Sequence, residues 1–424
     1  MTDAGAAFDA VGAAAGPAAR GSVARVGIAT AITAVCGYAV LYLAARKLEP
    51  AGFSVFGVFW GAFGLVTGAA NGLLQESTRE VRATLRHPPG PKPRDWGPHT
   101  RPMWVAAGVG LGAGIVIAGT SPLWSARVFA EARPLSVALL SLGLAGFCLH
   151  ATLLGMLAGT DRWSHYGSLM VTDAVTRVAV AAAAFALGWG LAGFLWATVA
   201  GALAWLLLLA ASPAARSAGG LRTAGEVSGF LRGAAHSIAA AGASAVLVMG
   251  FPVLLKATSG ELGAAGGVVI LAVTLTRAPL LVPLTAMQGN LIAYFVDHRS
   301  TRFRALLTPA GIVVSVGAIG VVGAALFGPW LMRVAFGPEY RTSGVLLAWL
   351  TVAAVSIALL TLTGAATVAS ALHRAYSIGW VGATVAATLL LTLPLSLESR
   401  TVIALLCGPL VGIAVHLTAL TRAQ

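Results

Sequence analysis

Apolar residues occur in long runs along most of this chain, and short polar segments separate the runs. Each run is close to the roughly 20 residues that a helix needs to cross a hydrocarbon core of about 30 Å. The alternation of a membrane β-strand is absent, which leaves helices as the structure that satisfies backbone groups in lipid. The predicted membrane-spanning helices cover 22–45, 53–76, 103–121, 135–158, 168–187, 190–211, 233–256, 264–295, 306–328, 343–369, 375–395 and 401–420.

Composition supports the same fold class. Of the 424 residues, 58% are hydrophobic and 10% are charged, whereas soluble domains contain roughly 25% charged residues. We therefore predict an all-α polytopic membrane protein with about twelve transmembrane helices. Because alternate loops carry more than twice as many Lys and Arg residues as the opposite loops, the positive-inside rule places both termini in the cytoplasm and the chain in the cytoplasmic membrane.

The net charge of +13 is explained by this distribution and by contact with the anionic headgroups of membrane lipids. No basic patch interleaves with aromatic residues outside the predicted helices, so nucleic acid is not an expected partner.

Two pairs of similar segments indicate an internal repeat. "WSARVFAEARPLSVALL" from 124 resembles "WLMRVAFGPEYRTSGVLL" from 330, and "DRWSHYG" from 161 resembles "HRAYSIG" from 373, at offsets of 206 and 212. Offsets near half the chain predict two six-helix lobes related by a pseudo-twofold axis along the membrane normal. Chance similarity in a sequence rich in Ala, Gly and Leu is the alternative.

The repeat sets the expected domain organisation. We predict a flexible cytoplasmic tail at 1–21, an N-lobe of six helices at 22–211, a cytoplasmic linker at 212–232 and a C-lobe of six helices at 233–424. The prolines of segment 79–101 predict an extended connector. No segment outside the membrane is long enough to fold alone, so the function is expected among the helices.

Three charges lie well inside predicted spans, where each costs about 3 kcal/mol on insertion scales. Asp173 and Arg177 are four residues apart, so they can meet on one helical face and neutralise each other. Arg277 has no carboxylate within a turn in sequence, and the prolines at 279 and 283 are each expected to remove a backbone donor and to kink its helix. Near the cytoplasmic end of the second span, Glu76 and Arg79 form either a salt bridge or part of a cavity mouth.

At an offset of 212, the positions facing Asp173 and Arg177 in the second half are Val385 and Leu389. The deep charge is therefore positive and concentrated in the first lobe. Because the planar guanidinium suits phosphate oxygens, the expected ligand is anionic. A structural ion pair together with a snorkelling arginine is the alternative.

Glycine and histidine positions give weaker signals. Five glycines from 57 to 72 lie on one face of the second span, which predicts close helix packing or, alternatively, a smooth surface that slides or lines a cavity. His150, His236 and His416 are expected to be hydrogen-bonded interior residues. The chain has no set of residues for nucleophilic catalysis and no metal-ligand spacing of its cysteines, so we expect no enzyme activity, catalytic residue, cofactor or metal site.

Several segments resemble a known family. "YLAARKLEPAGFSVFGVFWGAFGLVTGAANGLLQESTREVRA", "LAGTDRWSHYGSLMVTDAVTRVAVA" and "FGPEY" are similar to the polysaccharide transporter (Wzx-like) family of the multidrug/oligosaccharidyl-lipid/polysaccharide (MOP) flippase superfamily. The resemblance implies two lobes that rock between inward-open and outward-open states to carry lipid-linked glycans out of the cell. It also implies that Arg79, Asp173, Arg177 and Arg277 line the cavity.

The favoured hypothesis is a flippase for a polyprenyl-(pyro)phosphate-linked saccharide, with Arg177, Asp173, Arg277, Arg79 and Glu76 as substrate-binding residues. Glycosyltransferases of the same pathway are candidate partners. A cation-coupled multidrug exporter of the same fold, a membrane glycosyltransferase or polymerase, and a scaffold that transports nothing are the alternatives.

Overall fold

The computed structural model describes residues 17–86, 98–298 and 302–423. Residues 1–16 of the predicted tail and residues 87–97 of the predicted connector lie outside the described ranges. The elements, in chain order, are α1 (Pro17–Arg86), β1 (His99–Thr100), α2 (Pro102–Val128), α3 (Arg133–Gly159), α4 (Trp163–Leu187), α5 (Gly190–Ala200), a 3₁₀ turn (Gly201–Leu203), α6 (Ala204–Ala211), α7 (Pro213–Gly219), β2 (Thr223–Ala224), α8 (Val227–Val248), α9 (Phe251–Ser259), α10 (Gly263–Ala286), α11 (Gln288–Asp297), α12 (Arg302–Phe336), α13 (Gly344–Ala369), α14 (His373–Leu391) and α15 (Leu397–Arg422).

Eleven helices in the described residues are long and apolar enough to cross a membrane. The first of them, α1, contains the first two predicted spans, which are separated at Glu49 by a backbone with φ 56° and ψ 173°. Pro50 follows directly, and a residue before proline is disfavoured in the helical conformation. The prediction of an all-helical, multi-pass membrane protein is confirmed.

Three predicted spans are each divided in the structure, one of them by the 3₁₀ turn within 190–211. The span at 233–256 is interrupted between α8 and α9, where the amides of Met249 and Gly250 both donate to the carbonyl of Ala245 at 2.9 Å. Pro252 follows and has no amide to continue the helical pattern. The span at 264–295 ends at Ala286, and α11 begins two residues later.

The described chain separates into two compact units. The N-terminal unit contains Ala24–Leu48 and Val58–Val253, and the C-terminal unit contains 17–23, Glu49–Gly57 and the described residues from Leu254 onward. Two units of helices agree with the predicted two-lobed architecture. The segment that was predicted as a linker forms α7, β2 and the start of α8 within the N-terminal unit.

The glycine face of α1 explains why α8 belongs to the N-terminal unit. A Cβ atom on Gly64 would lie 3.2 Å from Met249, and one on Gly68 would lie 2.7 Å from Ala245. At Gly72, a Cβ atom would lie 2.5 Å from the Cα atom of Ile238. The glycines allow the two helix backbones to approach closely, so within this unit the packing interpretation of the glycine pattern is confirmed.

A short antiparallel pair of strands joins distant parts of the N-terminal unit. His99 pairs with Ala224, and Thr100 pairs with Thr223. The amide of Gly225 also donates to the carbonyl of Pro98 at 2.9 Å. The segment that enters α2 is thereby fixed to the segment that enters α8.

Candidate functional site

The two charges of α4 form an ion pair in the N-terminal unit. Arg177 Nη2 donates to Asp173 Oδ1 at 3.0 Å, and Arg177 Nε lies 3.2 Å from each carboxylate oxygen. The side chains of Arg177 and Asp173 are 15% and 13% exposed. The two residues therefore meet on one helical face, as their spacing predicts, with a small part of their surface accessible.

Two further elements hold the guanidinium of Arg177. Its Nη1 donates to the backbone carbonyl of Thr198 in α5 at 2.7 Å. Its Cζ lies 5.4 Å from the ring centroid of Phe63 in α1, which is within the range of a cation–π interaction. The guanidinium thus has a carboxylate, a carbonyl and an aromatic ring around it.

Gly201 provides the space for this ion pair. It begins the 3₁₀ turn that interrupts the span 190–211. A Cβ atom here would lie 2.6 Å from Arg177 Nε and would also collide with the carboxylate of Asp173. Close approach to the charged groups therefore requires glycine at this position.

The sequence did not single out Phe63, Thr198 or Gly201 as parts of the site. Phe63 contributes an aromatic ring from another helix, and Thr198 contributes a main-chain carbonyl. Gly201 contributes the space left by its lack of a side chain. None of these contributions has a residue pattern of its own. The interruption of an apolar run by glycine was the one available signal, and glycine is common throughout this chain.

The turn before α4 has a counterpart in the C-terminal unit. The amides of Arg162 and Leu372 each donate to the carbonyl five residues earlier, at 2.9 Å in both cases. The preceding residues, Asp161 and Ala371, have positive φ angles of 55° and 59°. These equivalent residues are 210 positions apart, so the predicted offset of 212 is corrected to 210 for this part of the repeat.

The corrected offset changes the residues that correspond to the ion pair. Ala383 and Ala387 correspond to Asp173 and Arg177, and both alanines are fully buried. The previously expected residues, Val385 and Leu389, are 52% and 64% exposed. The two-residue error placed them outside the packed face of α14.

The buried alanines pack against a glycine, as the charged pair does. A Cβ atom on Gly408 of α15 would lie 2.7 Å from the Cβ atom of Ala387 and 2.9 Å from the carbonyl oxygen of Ala383. A glycine thus lies against the corresponding positions in both units, Gly201 in a 3₁₀ turn and Gly408 inside the continuous helix α15.

Glu76 and Arg79 form a second ion pair, near the C-terminal end of α1. Arg79 Nη2 donates to Glu76 Oε1 at 2.5 Å and Nε donates to Oε2 at 3.1 Å, while Nη2 also donates to Glu80 at 2.9 Å. The Glu76 side chain is 3% exposed and that of Arg79 is 64% exposed. The carboxylate of Glu76 lies against Gly233 of α8.

The salt-bridge alternative for Glu76 and Arg79 is therefore observed. Glu76 follows Phe63 by 13 residues along α1, which corresponds to about 20 Å of helix. The structure keeps the two ion pairs of the N-terminal unit apart along this helix.

Arg277 is 8% exposed in α10 of the C-terminal unit. Pro279 and Pro283 lie inside this helix, and α10 continues through both residues to Ala286. Transmembrane helices tolerate proline where neighbouring groups satisfy the freed carbonyls.

His416 is both buried and hydrogen-bonded, as predicted for an interior histidine. His416 Nδ1 lies 3.0 Å from Thr363 Oγ1, and its Nε2 lies 3.3 Å from the carbonyl oxygen of Tyr376. This histidine joins α13, α14 and α15 within the C-terminal unit. Its contacts favour a structural role.

The other two histidines differ from it. His150 is buried in α3, stacks on Phe147 with centroids 5.3 Å apart, and is within electrostatic reach of the α4 ion pair. His236 is exposed, so the expectation of an interior position is wrong for this residue. Across the described ranges, no three His, Cys, Asp or Glu side chains come together in a way that could hold a metal ion.

No family model matches the chain. Close relatives are found in mycobacteria. The protein named "Uncharacterized protein Mb3654" from Mycobacterium bovis is 72% identical over 411 residues, which cover 97% of this chain and 94% of that protein. "Uncharacterized protein Rv1510" from Mycobacterium tuberculosis strain H37Rv is 66% identical over 430 residues, which cover 100% of this chain and 96% of that protein.

Solved structures with low sequence identity have the same fold. An inward-facing multidrug resistance MATE family transporter of the MOP superfamily matches with a TM-score of 0.66 and 15% identity, over 92% of this chain and 95% of the other. A MATE transporter in complex with MaD3S gives a TM-score of 0.61 and 16% identity, over 95% and 96% of the chains.

A MOP superfamily transporter from Pyrococcus furiosus matches with a TM-score of 0.55 and 14% identity, over 95% of this chain and 96% of the other. Its binding pocket is described as having reverse polarity, which suggests a different function. The chain thus belongs to the family of its mycobacterial relatives and has the fold of the MATE transporters of the MOP superfamily.

Proposed function

We propose that this protein is an alternating-access exporter that carries a polyprenyl-(pyro)phosphate-linked saccharide outward across the cytoplasmic membrane. The observation that carries the proposal is the guanidinium of Arg177 inside a membrane-spanning helix. Its hydrogen bonds to the described residues engage Nε and one N–H on each Nη. Since arginine has five N–H donors, two remain for an anionic ligand.

The charge of the proposed substrate-binding residues fits a phosphate group. Asp173 pairs with Arg177 and Glu76 pairs with Arg79, and Arg277 is a buried arginine of the other unit. A planar guanidinium can donate two parallel hydrogen bonds to phosphate oxygens. In this proposal Arg177 contacts a phosphate within the N-terminal unit, Arg277 is a substrate-binding residue of the C-terminal unit, and the exposed Arg79 meets the substrate near the cytoplasmic face.

The fold supports the transport part of the proposal, because similar structures are described as transporters. The Pyrococcus furiosus protein indicates that pocket polarity differs between members of this fold. We infer that a positively charged site here favours an anionic cargo. Glycosyltransferases that make the lipid-linked sugar are the proposed pathway partners.

A cation-coupled multidrug exporter is the second candidate, because several similar structures are described as multidrug transporters or MATE proteins. Binding of a cationic drug requires acidic groups that are free to contact it. Both Asp173 and Glu76 already bind an arginine, which favours the anionic substrate. The glycosyltransferase and scaffold alternatives have no comparable support.

A transport assay in proteoliposomes tests the proposal. Purified protein should move a fluorescent polyprenyl-diphosphate saccharide to the opposite leaflet, and the double variant Asp173→Ala/Arg177→Ala should lose this activity, as should Arg277→Ala. Arg341→Ala, which removes an exposed arginine of the C-terminal unit, is the control and should transport normally. Normal glycolipid transport by both arginine variants would remove the anion-binding proposal.

A parallel assay with a cationic dye separates the two candidates. Dye transport that depends on Asp173, combined with no movement of the glycolipid, would replace the first function with the second.

A further inference from the structure

The ion pair of α4 occupies the Nε and Nη2 edge of Arg177, which is one of the edges that a phosphate can use. Asp173 Oδ1 accepts from both Nε and Nη2, and Oδ2 accepts from Nε. The Nε and Nη2 edge of a guanidinium is one of the edges from which it donates two parallel hydrogen bonds to an oxyanion. The Asp173 carboxylate therefore occupies the position at this edge of Arg177 that a phosphate group would otherwise take.

The bonds between the two side chains are long for a charged pair. Their lengths of 3.0–3.2 Å exceed the roughly 2.7–2.9 Å of strong charge-assisted bonds. The bond from Arg177 Nη1 to the carbonyl of Thr198 is shorter, at 2.7 Å.

The guanidinium has supports that do not depend on Asp173. Thr198 accepts a hydrogen bond from Nη1, and the ring of Phe63 lies 5.4 Å from Cζ. These two contacts can keep the guanidinium in position after the carboxylate leaves it. The site is in this sense preorganised for an exchange of anions.

Packing of the helices does not require the pair. At the corresponding positions, the C-terminal unit has Ala383 and Ala387 against Gly408. A buried ion pair is often no more stable than apolar residues of the same shape. The charges of Asp173 and Arg177 therefore need an explanation other than stability.

We propose that Asp173 is an internal counter-anion that competes with the phosphate group of the ligand for Arg177. Without ligand, its carboxylate neutralises the guanidinium inside the membrane-spanning helix. When phosphate arrives, the carboxylate is displaced, and it returns when the ligand leaves. The inference rests on the proposed function and adds to it that Asp173 weakens substrate binding and promotes release.

Binding of inorganic pyrophosphate to the purified full-length protein in lipid nanodiscs tests this inference. Asp173→Asn keeps the size of the side chain and removes its charge, so the variant should bind pyrophosphate about tenfold more tightly than the wild type. Asp173→Ser, which is too short to reach the guanidinium, should show the same direction of change. Asp161→Asn is the matched control, because it neutralises an exposed aspartate that pairs with Arg82, and its affinity should equal that of the wild type.

The outcomes separate the two proposals. Equal or weaker binding by both Asp173 variants, with wild-type binding that needs Arg177, would overturn the counter-anion role and leave the proposed substrate class intact. No binding by the wild type or either variant would overturn both. Repeating the titration with a polyprenyl diphosphate in the nanodisc distinguishes a lipid carrier from free pyrophosphate, and the affinity gain must appear with at least one of them.

Discussion

At the residue scale, the described structure provides its own comparison for the α4 ion pair. Asp173 and Arg177 pack on Gly201, and the corresponding alanines pack on Gly408. Removing one partner of a buried pair leaves an uncompensated charge, whereas removing both leaves none. The comparison therefore predicts the order of stability among single and double variants.

Arg177→Ala should lower the free energy of unfolding by about 3 kcal/mol, because Asp173 remains as a lone carboxylate inside the membrane-spanning helix. The double variant Asp173→Ala/Arg177→Ala should be close to the wild type. Thermal unfolding in detergent, followed by tryptophan fluorescence, measures the order. A double variant that is less stable than Arg177→Ala would show that the pair is a structural requirement.

Gly201→Ala should destabilise the protein by about 2 kcal/mol, because the new methyl group collides with both charged side chains. Gly112→Ala in α2 is the control, since a Cβ atom there meets nothing within 4 Å. In the Asp173→Ala/Arg177→Ala background the cost of Gly201→Ala should become small. An equal cost in both backgrounds would mean that the backbone of the 3₁₀ turn, rather than the ion pair, requires glycine.

Sequence reasoning found the charged residues of this site and missed its surroundings. The spacing of four residues was sufficient to predict the contact between Asp173 and Arg177. Thr198 and Gly201 act through the main chain, and Phe63 is more than 100 positions away in sequence from Arg177. Such contributions depend on tertiary packing and have no periodicity by which to recognise them.

At the element scale, close packing of α1 and α8 organises the N-terminal unit. Gly64, Gly68 and Gly72 leave space for Met249, Ala245 and Ile238. In lipid, where apolar surfaces gain little from association, such close backbone contact is a main source of helix–helix stability.

Gly72→Ala should therefore lower the free energy of unfolding by about 2 kcal/mol, because the methyl group collides with the backbone of Ile238. Gly37→Ala in the same helix is the control, since its Cβ atom would meet nothing within 4 Å, and it should be neutral or slightly stabilising. Detergent melting curves of the two variants measure the difference. Equal melting temperatures would contradict the packing role of the glycine face.

The sequence located the helices well and their interruptions poorly. The apolar runs gave the spans to within two residues for α3 and α13, whereas α2 and α12 extend seven and eight residues beyond their predicted C-terminal ends. Helix α10 continues through its two prolines, whereas Met249 and Met287 mark interruptions that hydropathy does not show. Hydropathy reports the length of buried apolar chain and is insensitive to local backbone geometry.

At the scale of the whole molecule, the two units and the repeated turn at 161 and 371 agree with the repeat predicted from two short sequence matches. The matches gave offsets of 206 and 212 because loops of different length separate the equivalent helices. In the structure, the equivalent turns are 210 residues apart. This difference of two residues changes the positions that correspond to Asp173 and Arg177.

The predicted orientation of the chain can be tested with fusion reporters. Green fluorescent protein fused after Arg422 should fluoresce, and alkaline phosphatase inserted at 130–132, between α2 and α3, should be active, because the basic loops are expected on the cytoplasmic side. A phosphatase fusion after Arg422 is the control and should be inactive. The reverse pattern of activities would invert the topology and the proposed direction of transport.

The alanine crossing of the C-terminal unit also offers a route to protein engineering. Replacing Ala383 with Asp and Ala387 with Arg would place a transplanted charge pair beside Gly408. A functional transplant would show that a single local architecture suffices to create an anion site in either half. It would also allow transporters with two such sites, or with the site moved from one half to the other, to be built from this chain.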